Sequence, residues 1–400
     1  MRILMVTEFF SPVLGGIPSH IADLSKALTK RGHRIIILAL GWNGLSQHEI
    51  IDGIEVVRIT GLFQRLDFIY SNKNYRFHPP ISDPIFSKEA YRFIKSFQPD
   101  VIHCHGWIIY SLLSIKKKLV NIPLVFTLHD YGLMCPARTM FNSNNVCSEA
   151  LTPECLTCAE NKVGTYKARV MCWALNHNRN NLKMIDKYIA VSTSVKDIHS
   201  QYLESDKIEV ICNFYNSSIG PKTEEAISLP DDFIMFAGAL KPEKGVNVLV
   251  DAYRKLNTST KLVIIGMKRP GFNLQASPGI ILLENQPRDV VMEAWQKCLF
   301  AVIPSVWAEP GGIIALEAMS CKKAIIGSNI GGLKDSIINN ETGILVPPGN
   351  ADALSSAIQD LLDNPVLAAD MGQKGYMHLH KQFSVNKIVG DTEKLYKSLI

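Results

Sequence analysis

Two glutamates, Glu309 and Glu317, have seven residues between them, including a proline, two glycines and an apolar run. The apolar run predicts a buried helix that begins near residues 311–313, with Glu309 on the preceding loop and Glu317 inside the helix. The first amide groups of a helix lack partners and its dipole is positive there, so this end suits a phosphate. The two carboxylates can accept hydrogen bonds from vicinal hydroxyls. Together these features suit a sugar carried on a nucleoside diphosphate.

A lysine and a glycine pair are further candidates for phosphate binding. Lys244, within Pro-Glu-Lys-Gly at 242–245, precedes a helix predicted to begin near Val246, and its ammonium can reach a phosphate; a solvated loop lysine is the alternative. Gly15 and Gly16 follow the first predicted strand and allow close backbone approach, although glycine pairs also mark ordinary turns. The sequence has no Gly-x-Gly-x-x-Gly motif, which counts against a nicotinamide enzyme.

Histidines follow two of the predicted strands. His129 comes after the strand over 124–127, and the carboxyl end of a parallel strand faces the ligand crevice. His129 is therefore a candidate for contacting a sugar hydroxyl or for proton transfer, and a histidine satisfied by Asp130 is the alternative. His103 and His105 share one face of an earlier strand, where structural or substrate-contacting roles are favoured over a metal pair.

Four cysteines have the spacing C-x11-C-x7-C-x2-C: Cys135, Cys147, Cys155 and Cys158. In a reducing compartment, thiolates at this density suit a tetrahedral zinc ion or, as a weaker choice, an iron–sulfur cluster. Four unrelated thiols or conditional disulfides are the alternative. A zinc ion held by four thiolates would be structural, because no position remains open for a substrate.

Composition and patterning predict an α/β protein with two doubly wound, Rossmann-like domains. The chain has 400 residues, 47% of them hydrophobic, and a net charge of +5, which is too weak to argue for nucleic acid. The first ten residues predict a strand rather than a signal peptide, and no segment is apolar enough to span a membrane, so we expect a cytoplasmic protein. An N-terminal domain is expected over 1–215 with the cysteine loop at 135–158, and a C-terminal domain over 216–380. A last helix over 381–400 is expected to pack back toward the first domain, and the two sheets to face each other across a cleft.

Short β-branched runs alternate with amphipathic helical stretches, the first of which covers about 19–30. The predicted strands cover 3–6, 35–40, 56–59, 101–103, 124–127 and 188–191 in the first domain, and 231–237, 262–265, 280–283, 300–303 and 324–327 in the second. A basic aromatic stretch over 62–77 suits a membrane or a lipid-borne acceptor, with a partly buried loop as the favoured alternative.

Taken in order, these pieces resemble a retaining nucleotide-sugar transferase of the GT-B fold, glycosyltransferase family 4. Glu309 and Glu317 match that family's E-x7-E motif, and 242–245 matches its phosphate-binding loop. Its C-terminal segment is matched by 331–332, 342–347 and 351–362, and its N-terminal half by 15–16, 31–33, 100–103 and 127–130. The cysteine loop resembles that of a subset of the family.

The resemblance implies a role for each candidate. Glu309 would contact the donor sugar, Glu317 the ribose, and Lys244 the diphosphate. Backbone amides would assist Lys244; the residues concerned are Gly311, Gly312, Ile313 and Ile314. Gly15 and Gly16 would approach the diphosphate and the acceptor from the other domain, and His129 would lie near the reacting face of the sugar. Such enzymes need no metal for transfer, and the leaving phosphate takes the acceptor's proton on the same face.

The expected activity is transfer to a glycan or lipid-linked acceptor in the biosynthesis of a surface polysaccharide or glycolipid, with peripheral association at the inner face of the membrane. One departure concerns Ala239, where the family often has an arginine; Lys241 and Lys268 are candidates to replace its charge. This departure motivates the alternative of a non-catalytic nucleotide-sugar-binding homologue. A nucleotide-sugar epimerase of the same two-domain fold is a further alternative.

Overall fold

The computed structural model describes residues 1–13, 15–70, 75–142, 145–216, 228–267 and 277–400. These residues form two compact units. The first comprises Met1–Met140, Ser148–Cys212 and Ile388–Ile400, and the second comprises Phe141–Cys147 and Asn213–Lys387. In this division the long second-unit segment begins at Asn213, and the residues from Ile388 onward belong to the first unit. Residues 217–227, directly after the expected boundary between 215 and 216, lie outside the described residues.

The sheet of the first unit is built from buried apolar strands. Apart from an antiparallel hairpin of β7 (Phe141–Asn142) and β8 (Asn145–Val146), which belongs to the second unit, the strands up to residue 210 are β1 (Arg2–Thr7), β2 (Arg34–Leu40), β3 (His48–Ile51), β4 (Ile54–Ile59), β5 (Val101–His105), β6 (Leu124–Leu128), β9 (Lys187–Ala190) and β10 (Ile208–Val210). The order in this eight-stranded sheet is β10-β9-β6-β5-β1-β2-β4-β3, and every described pair in it is parallel except β3 with β4. Every residue of β5 and β6 is buried, as expected for central parallel strands covered on both faces.

The sheet of the second unit is parallel throughout its described strands. These are β11 (Phe233–Ala237), β12 (Lys261–Gly266), β13 (Ile280–Glu284), β14 (Ala301–Ile303), β15 (Ile325–Ser328) and β16 (Gly343–Val346). The order is β13-β12-β11-β14-β15-β16. The chain therefore reverses its direction of winding between β11 and β14, and in the first unit it does so between β1 and β5. Loops at such a reversal leave the sheet side by side and commonly form a ligand crevice.

Helices connect the strands and cover the sheets. They are α1 (Gly16–Lys30), α2 (Pro84–Phe97), α3 (Ile109–Lys116), α4 (Pro153–Val163), α5 (Thr165–Asn178), α6 (Thr193–His199), α7 (Val246–Arg254), α8 (Arg288–Lys297), α9 (Ile313–Ser320), α10 (Leu333–Ser336), α11 (Ala351–Asp363), α12 (Pro365–Gln382) and α13 (Val385–Lys397). None of the helices in the described ranges is both long enough and apolar enough to cross a bilayer.

The last helix contributes to the core of the first unit. Tyr396 on α13 is fully buried, and its hydroxyl lies 2.6 Å from Nδ1 of His103 on β5. Nε2 of the same histidine lies 2.6 Å from the hydroxyl of Thr127 on β6. At the edge of this contact, Glu393 pairs with Arg31 at 3.0 Å. His103 thus connects two central strands to a segment nearly three hundred residues later in the chain.

Candidate active site

A lysine and a glutamate meet where the second sheet reverses its winding. Lys244 ends the short turn Pro242–Lys244 after β11, and Glu309 lies on the loop after β14. The Nζ atom of Lys244 is 2.7 Å from both carboxylate oxygens of Glu309. The Oε2 atom of Glu309 also accepts hydrogen bonds from Ser305 Oγ at 3.2 Å and from Trp307 Nε1 at 3.1 Å. Three side chains thus donate to the Glu309 carboxylate, and the carboxylate fixes the position of the Lys244 ammonium.

Two glycines allow the loops around this pair to approach each other. Gly245 has a φ of +70°, and a Cβ atom added there would lie 1.9 Å from the carbonyl oxygen of Pro304. Gly331 has a φ of +59°, and its added Cβ would lie 2.4 Å from the amide nitrogen of Glu309. Both positions combine a left-handed backbone with contact against another main chain, which only glycine tolerates. The position of Glu309 therefore depends on glycines far from it in the sequence.

Helix α9 begins beside the same pair. Gly311 and Gly312 precede it, and Gly312 adopts the left-handed conformation with φ 53° and ψ 31° as its N-cap residue. The first helical residues are Ile313 and Ile314, whose amides belong to the turn that has no acceptors within the helix. The helix start lies within the range expected from the sequence. The geometry combines an ammonium, a carboxylate and the positive end of a helix in one unit.

Glu317 lies on α9 and faces a cation that sequence reasoning missed. Its Oε1 atom is 3.2 Å from a guanidinium nitrogen of Arg288, the first residue of α8. Burial raises the pKa of Glu317, and the charge of Arg288 opposes this rise. Of the two lysines proposed to replace the charge at Ala239, Lys241 pairs with Glu243 at 3.5 Å and Lys268 lies outside the described residues. Arg288 gave no local signal, because its proximity to Glu317 arises only from the packing of α8 beside α9.

A histidine cluster lies where the first sheet reverses its winding. His129, just after β6, has its Nε2 atom 2.9 Å from Nδ1 of His105 on β5. His20 on α1 lies with its ring centroid 5.2 Å from that of His129. Gly15 and Gly16 form the start of the same helix, and Gly15, with φ 154° and ψ 174°, is its N-cap residue. The structure therefore brings His129 and the glycine pair to one end of the first unit.

The described partner of His129 is not Asp130, the partner that the alternative interpretation of the sequence assigned to it. Asp130 does not satisfy it; its carboxylate accepts a hydrogen bond from the Gly132 amide at 2.8 Å and lies 3.6 Å from Arg138. Burial lowers the pKa of His129 and of His105 well below the usual range, and that of His20 to about 4. At neutral pH these imidazoles are uncharged and can donate or accept hydrogen bonds.

The four cysteines of the predicted zinc site are free thiols. Within the described ranges, no group of three or more histidine, cysteine, aspartate or glutamate side chains is arranged to hold a metal ion. Cys155 and Cys158 share α4, and with Cys135 they are electrostatic neighbours of Cys172 on α5, a residue absent from the predicted set. Burial raises the pKa of Cys135, which favours its thiol form. Zinc at these cysteines therefore stays a prediction.

The basic aromatic stretch is partly buried where it is described. Tyr70 is 7% exposed and its hydroxyl donates to the carbonyl of Phe77 at 2.8 Å, whereas Phe68 is 85% exposed. Residues 71–74, including Lys73, lie outside the described residues. The described part thus matches the favoured alternative, a partly buried loop.

Comparison with known proteins decides the family. Residues 14–218 match the model described as Glycosyltransferase Family 4, and residues 222–378 match that described as Glycosyl transferases group 1. An uncharacterized glycosyltransferase of Methanocaldococcus jannaschii is 32% identical over 100% of this chain and 99% of its own length. The chain belongs to glycosyltransferase family 4. The predicted family is confirmed.

Other similar proteins support the same class. A glycogen synthase of Mycobacterium tuberculosis is 25% identical to this family 4 glycosyltransferase over 99% of this chain and 94% of its own. Among solved structures, the sucrose-phosphate synthase from Thermosynechococcus elongatus has a TM-score of 0.73 at 19% identity, covering 100% of this chain and 98% of that one. Anabaena HepE in complex with UDP-glucose has a TM-score of 0.67 at 18% identity, covering 100% of both chains. At sequence identities below 20%, similarity to these structures is evidence for the fold alone. It confirms the predicted GT-B fold.

Proposed function

We propose that this glycosyltransferase is a retaining enzyme that moves a sugar from a nucleoside-diphosphate sugar to a glycan or lipid-linked acceptor. The observation that carries the proposal is the Lys244–Glu309 pair beside the first turn of α9, with Glu317 farther along the same helix. This arrangement offers positive charge for a diphosphate and carboxylates for the hydroxyls on either side of it.

The second unit would bind the donor. An ammonium group has three N–H donors, and two point at Glu309, which leaves one for a phosphate oxygen. The amides of Ile313 and Ile314 would add to it. Because negative charge grows on the diphosphate as the sugar leaves, these fixed donors would stabilise the transition state more than the ground state. Glu309 would accept a hydrogen bond from a sugar hydroxyl. Glu317, positioned by Arg288, would accept hydrogen bonds from the ribose hydroxyls.

The reaction would proceed without a protein nucleophile. The bond between the anomeric carbon and the phosphate oxygen breaks, and the acceptor oxygen forms its bond on the same face. The acceptor's proton passes to the departing phosphate, which leaves as the nucleoside diphosphate, and the α configuration is kept. Neutral His129 would contact the sugar near this carbon, while Gly15 and Gly16 would allow backbone approach by the acceptor and the diphosphate. Transfer would need no metal, because lysine and helix amides supply the positive charge.

Known relatives indicate where to begin the search for substrates. HepE of Anabaena was solved with UDP-glucose and TarM of Staphylococcus aureus with UDP, so UDP-sugars are the first donors to try. A relative from Corynebacterium glutamicum is named D-inositol 3-phosphate glycosyltransferase, and the M. tuberculosis relative glycogen synthase. Surface polysaccharide or glycolipid synthesis, with peripheral attachment at the cytoplasmic side of a membrane, remains our proposal for its setting.

The test is incubation of the purified chain with a panel of nucleotide sugars, with and without EDTA, and with sugar, sugar-phosphate and lipid-linked acceptors. Mass spectrometry would detect transfer and donor hydrolysis, and NMR would assign the anomeric configuration of the product. An α-linked product formed in EDTA supports the proposal. A β-linked product would contradict retention, and an epimerised sugar released without acceptor would favour an epimerase. If the chain neither binds nor hydrolyses any donor of the panel, the proposal is overturned.

A further inference from the structure

Helix α5 carries aromatic side chains on the side that points away from the core. Its buried residues, which share one side of the helix, are Ala168, Met171, Ala174 and Leu175. Tyr166 and Trp173 share the opposite side, about 10 Å apart along the axis, because seven residues make about two helical turns. Tyr166 is 83% exposed and Trp173 is 60% exposed, and the half-buried Val170 lies between them. The helix therefore has one apolar side in the core and an aromatic side in solvent.

The ring of Trp173 is supported by a neighbour on the same side of the helix. His177, one turn farther along, stacks on it with ring centroids 5.1 Å apart and planes inclined by 13°. Exposed apolar groups that cluster on a surface commonly mark a place where another molecule binds. Tryptophan and tyrosine combine an apolar ring with a polar N–H or hydroxyl group, which favours the boundary between water and an apolar phase.

The segment that contains α5 carries only positive charge. Between Glu160 and Asp186 the chain has five lysines and arginines and no aspartate or glutamate. The five cations are Lys162, Lys167, Arg169, Arg179 and Lys183. Arg169 lies on the aromatic side, and its side chain is 69% exposed although its Nε atom is 3.4 Å from Glu160 of α4. An ion pair as exposed as this one contributes little in water, so an external anion can compete for the guanidinium.

A cationic cavity adjoins the end of α5. It has a volume of about 350 Å³, and Arg179, Lys183 and Lys207 are among its lining residues. The carboxylate in its described lining is Glu204, which pairs with Lys207 at 3.1 Å. The guanidinium of Arg179 lies 5.2 Å from the ring centroid of Tyr202. Neither Arg179 nor Lys183 forms an ion pair within the part of the chain that the structure describes, so both can bind an external anion.

From this geometry we infer that the aromatic side of α5 and the cavity at its end form a docking surface for a membrane that contains anionic phospholipids. Tyr166 and Trp173 lie at the level of the headgroups, and Arg169, Arg179 and Lys183 contact the lipid phosphates. Charge selects this occupant over a second copy of the chain, because a two-fold contact between copies would bring the same cations together. The peripheral attachment proposed above would take place through this surface, and vesicle binding can be measured without any sugar transfer.

Co-sedimentation of the full chain with lipid vesicles tests the docking surface. The probes are vesicles of phosphatidylcholine alone and vesicles in which phosphatidylglycerol replaces part of it. We expect the anionic vesicles to bind at least about tenfold more tightly, with the difference shrinking as salt is raised. Equal binding to both kinds of vesicle, or binding to neither, would overturn the inference.

Aromatic variants assign the binding to α5. The double variant Tyr166→Ala/Trp173→Ala should bind anionic vesicles at least about tenfold more weakly, because less apolar area enters the membrane. Phe68→Ala is the control, since Phe68 is 85% exposed but lies in a different segment of the first unit. A loss in Phe68→Ala as large as that in the double variant would show that the surface has been assigned to the wrong segment.

Charge variants test the end of the helix. Arg179→Gln/Lys183→Gln should weaken binding about twentyfold, since each cation near an anionic surface contributes about fivefold. Lys88→Gln/Lys117→Gln removes the same charge at exposed positions of α2 and at the end of α3, and should have a much smaller effect. Equal losses in the two double variants would mean that binding follows net charge alone, and this site would be overturned.

Tryptophan fluorescence locates the contact. The chain has five tryptophans, and vesicles with brominated lipid should quench a part of the emission that is missing from Trp173→Phe. This variant should still bind, because it keeps an aromatic ring. Identical quenching in both chains would place Trp173 away from the bilayer and overturn the inference. A dimer in lipid-free solution that Trp173→Ala abolishes would identify a second copy as the occupant instead.

Donor hydrolysis in the same variants distinguishes failure of this inference from failure of the proposed function. Tyr166→Ala/Trp173→Ala should hydrolyse a soluble donor at the rate of the wild type. If hydrolysis persists while no vesicle binds the wild type, the docking surface is overturned and the proposed function stands. If vesicles bind through α5 while no donor is bound or hydrolysed, the docking surface stands and the proposed function is overturned.

Discussion

Lys244 and Glu309 form a two-pronged ion pair, with Nζ 2.7 Å from each carboxylate oxygen, although 65 positions separate them in the sequence. Both side chains are 17% exposed. The pair connects the loops after two neighbouring strands, so it forms only when the sheet has assembled in the order that places β11 beside β14.

Replacing Glu309 by glutamine should remove its charge and keep its shape. We expect turnover of the donor to fall by about 10²- to 10³-fold, as for the loss of one preorganised polar group at a reacting centre. The melting temperature should change little, because the amide oxygen can still accept from Ser305 and Trp307. Steady-state kinetics and thermal unfolding check both expectations. Glu293→Gln is a matched control, since Glu293 is 22% exposed and pairs with Lys297 at 2.7 Å on α8; equal losses in the two variants would remove Glu309 from the mechanism.

Lys244→Met should weaken the binding of a nucleoside diphosphate. We expect a loss of about ten- to a hundredfold, since a hydrogen bond to a charged group contributes about 1.5–3 kcal/mol. Calorimetry with UDP measures it directly. Lys241→Met is the comparison, because Lys241 lies in the same loop but is 40% exposed and pairs with Glu243. A larger effect from Lys241 would show that the phosphate cation has been assigned to the wrong lysine.

Gly245→Ala should destabilise the second unit more than an ordinary glycine replacement. The left-handed backbone alone costs about 1–2 kcal/mol, and the clash with the Pro304 carbonyl adds about 1–3 kcal/mol. Gly349→Ala separates the two contributions, because Gly349 has a φ of +76° but no atom within 4 Å of an added Cβ. Urea unfolding of both variants gives the difference. Equal free energies of unfolding would show that the approach to Pro304 is not tight in solution.

His199 should make stability depend on pH. The residue is fully buried, its Nδ1 atom lies 2.8 Å from the Val195 carbonyl, and burial lowers its pKa from 6.5 to about 4. Between pH 6.5 and about 4, His199 is therefore protonated in the unfolded chain but not in the folded chain. The free energy of unfolding consequently falls as the pH drops from 6.5 toward 4. The slope for this group is about 1.4 kcal/mol per pH unit and vanishes above 6.5.

Urea unfolding of His199→Phe at several pH values tests this dependence. The variant should lose that share of the slope while keeping the stacking on Tyr131, whose ring centroid lies 5.6 Å away. His48→Phe, at an exposed position, should leave the slope unchanged. A slope identical in wild type and His199→Phe would contradict the assignment.

Local patterning was enough to predict most of the fold. Continuous β-branched runs indicated the central strands, because a strand buried on both faces is apolar at nearly every position and stands out from its surroundings in the sequence. It missed His48–Ile51, Ile208–Val210 and Gly343–Val346, which are short strands toward the edges of the sheets. Edge strands are half exposed, so their composition resembles that of a loop. Helix α1 begins at Gly16 rather than near residue 19, because the Gly15 carbonyl accepts from the Ser19 amide at 3.2 Å.

The site residues that lie at strand ends and helix starts could be predicted from the sequence. The partners that only tertiary packing brings to them could not. Glu309, Glu317 and Lys244 stand next to strand ends and helix starts, which sequence reveals. Arg288 reaches Glu317 only because two helices lie side by side, and His105 replaces Asp130 as the partner of His129 only because β5 and β6 are neighbours. Such partners are decided by tertiary contacts, and a single sequence carries no local trace of them.

The burial of Tyr396 against His103 sets an order of events during synthesis. The first unit cannot complete its interior until a segment made after the whole of the second unit has left the ribosome. Until then the His103 imidazole lacks its phenolic partner, and the buried residues of α13 are missing from the core of the first unit. Truncating the chain before residue 388 would therefore destabilise the first unit, the part that is translated first.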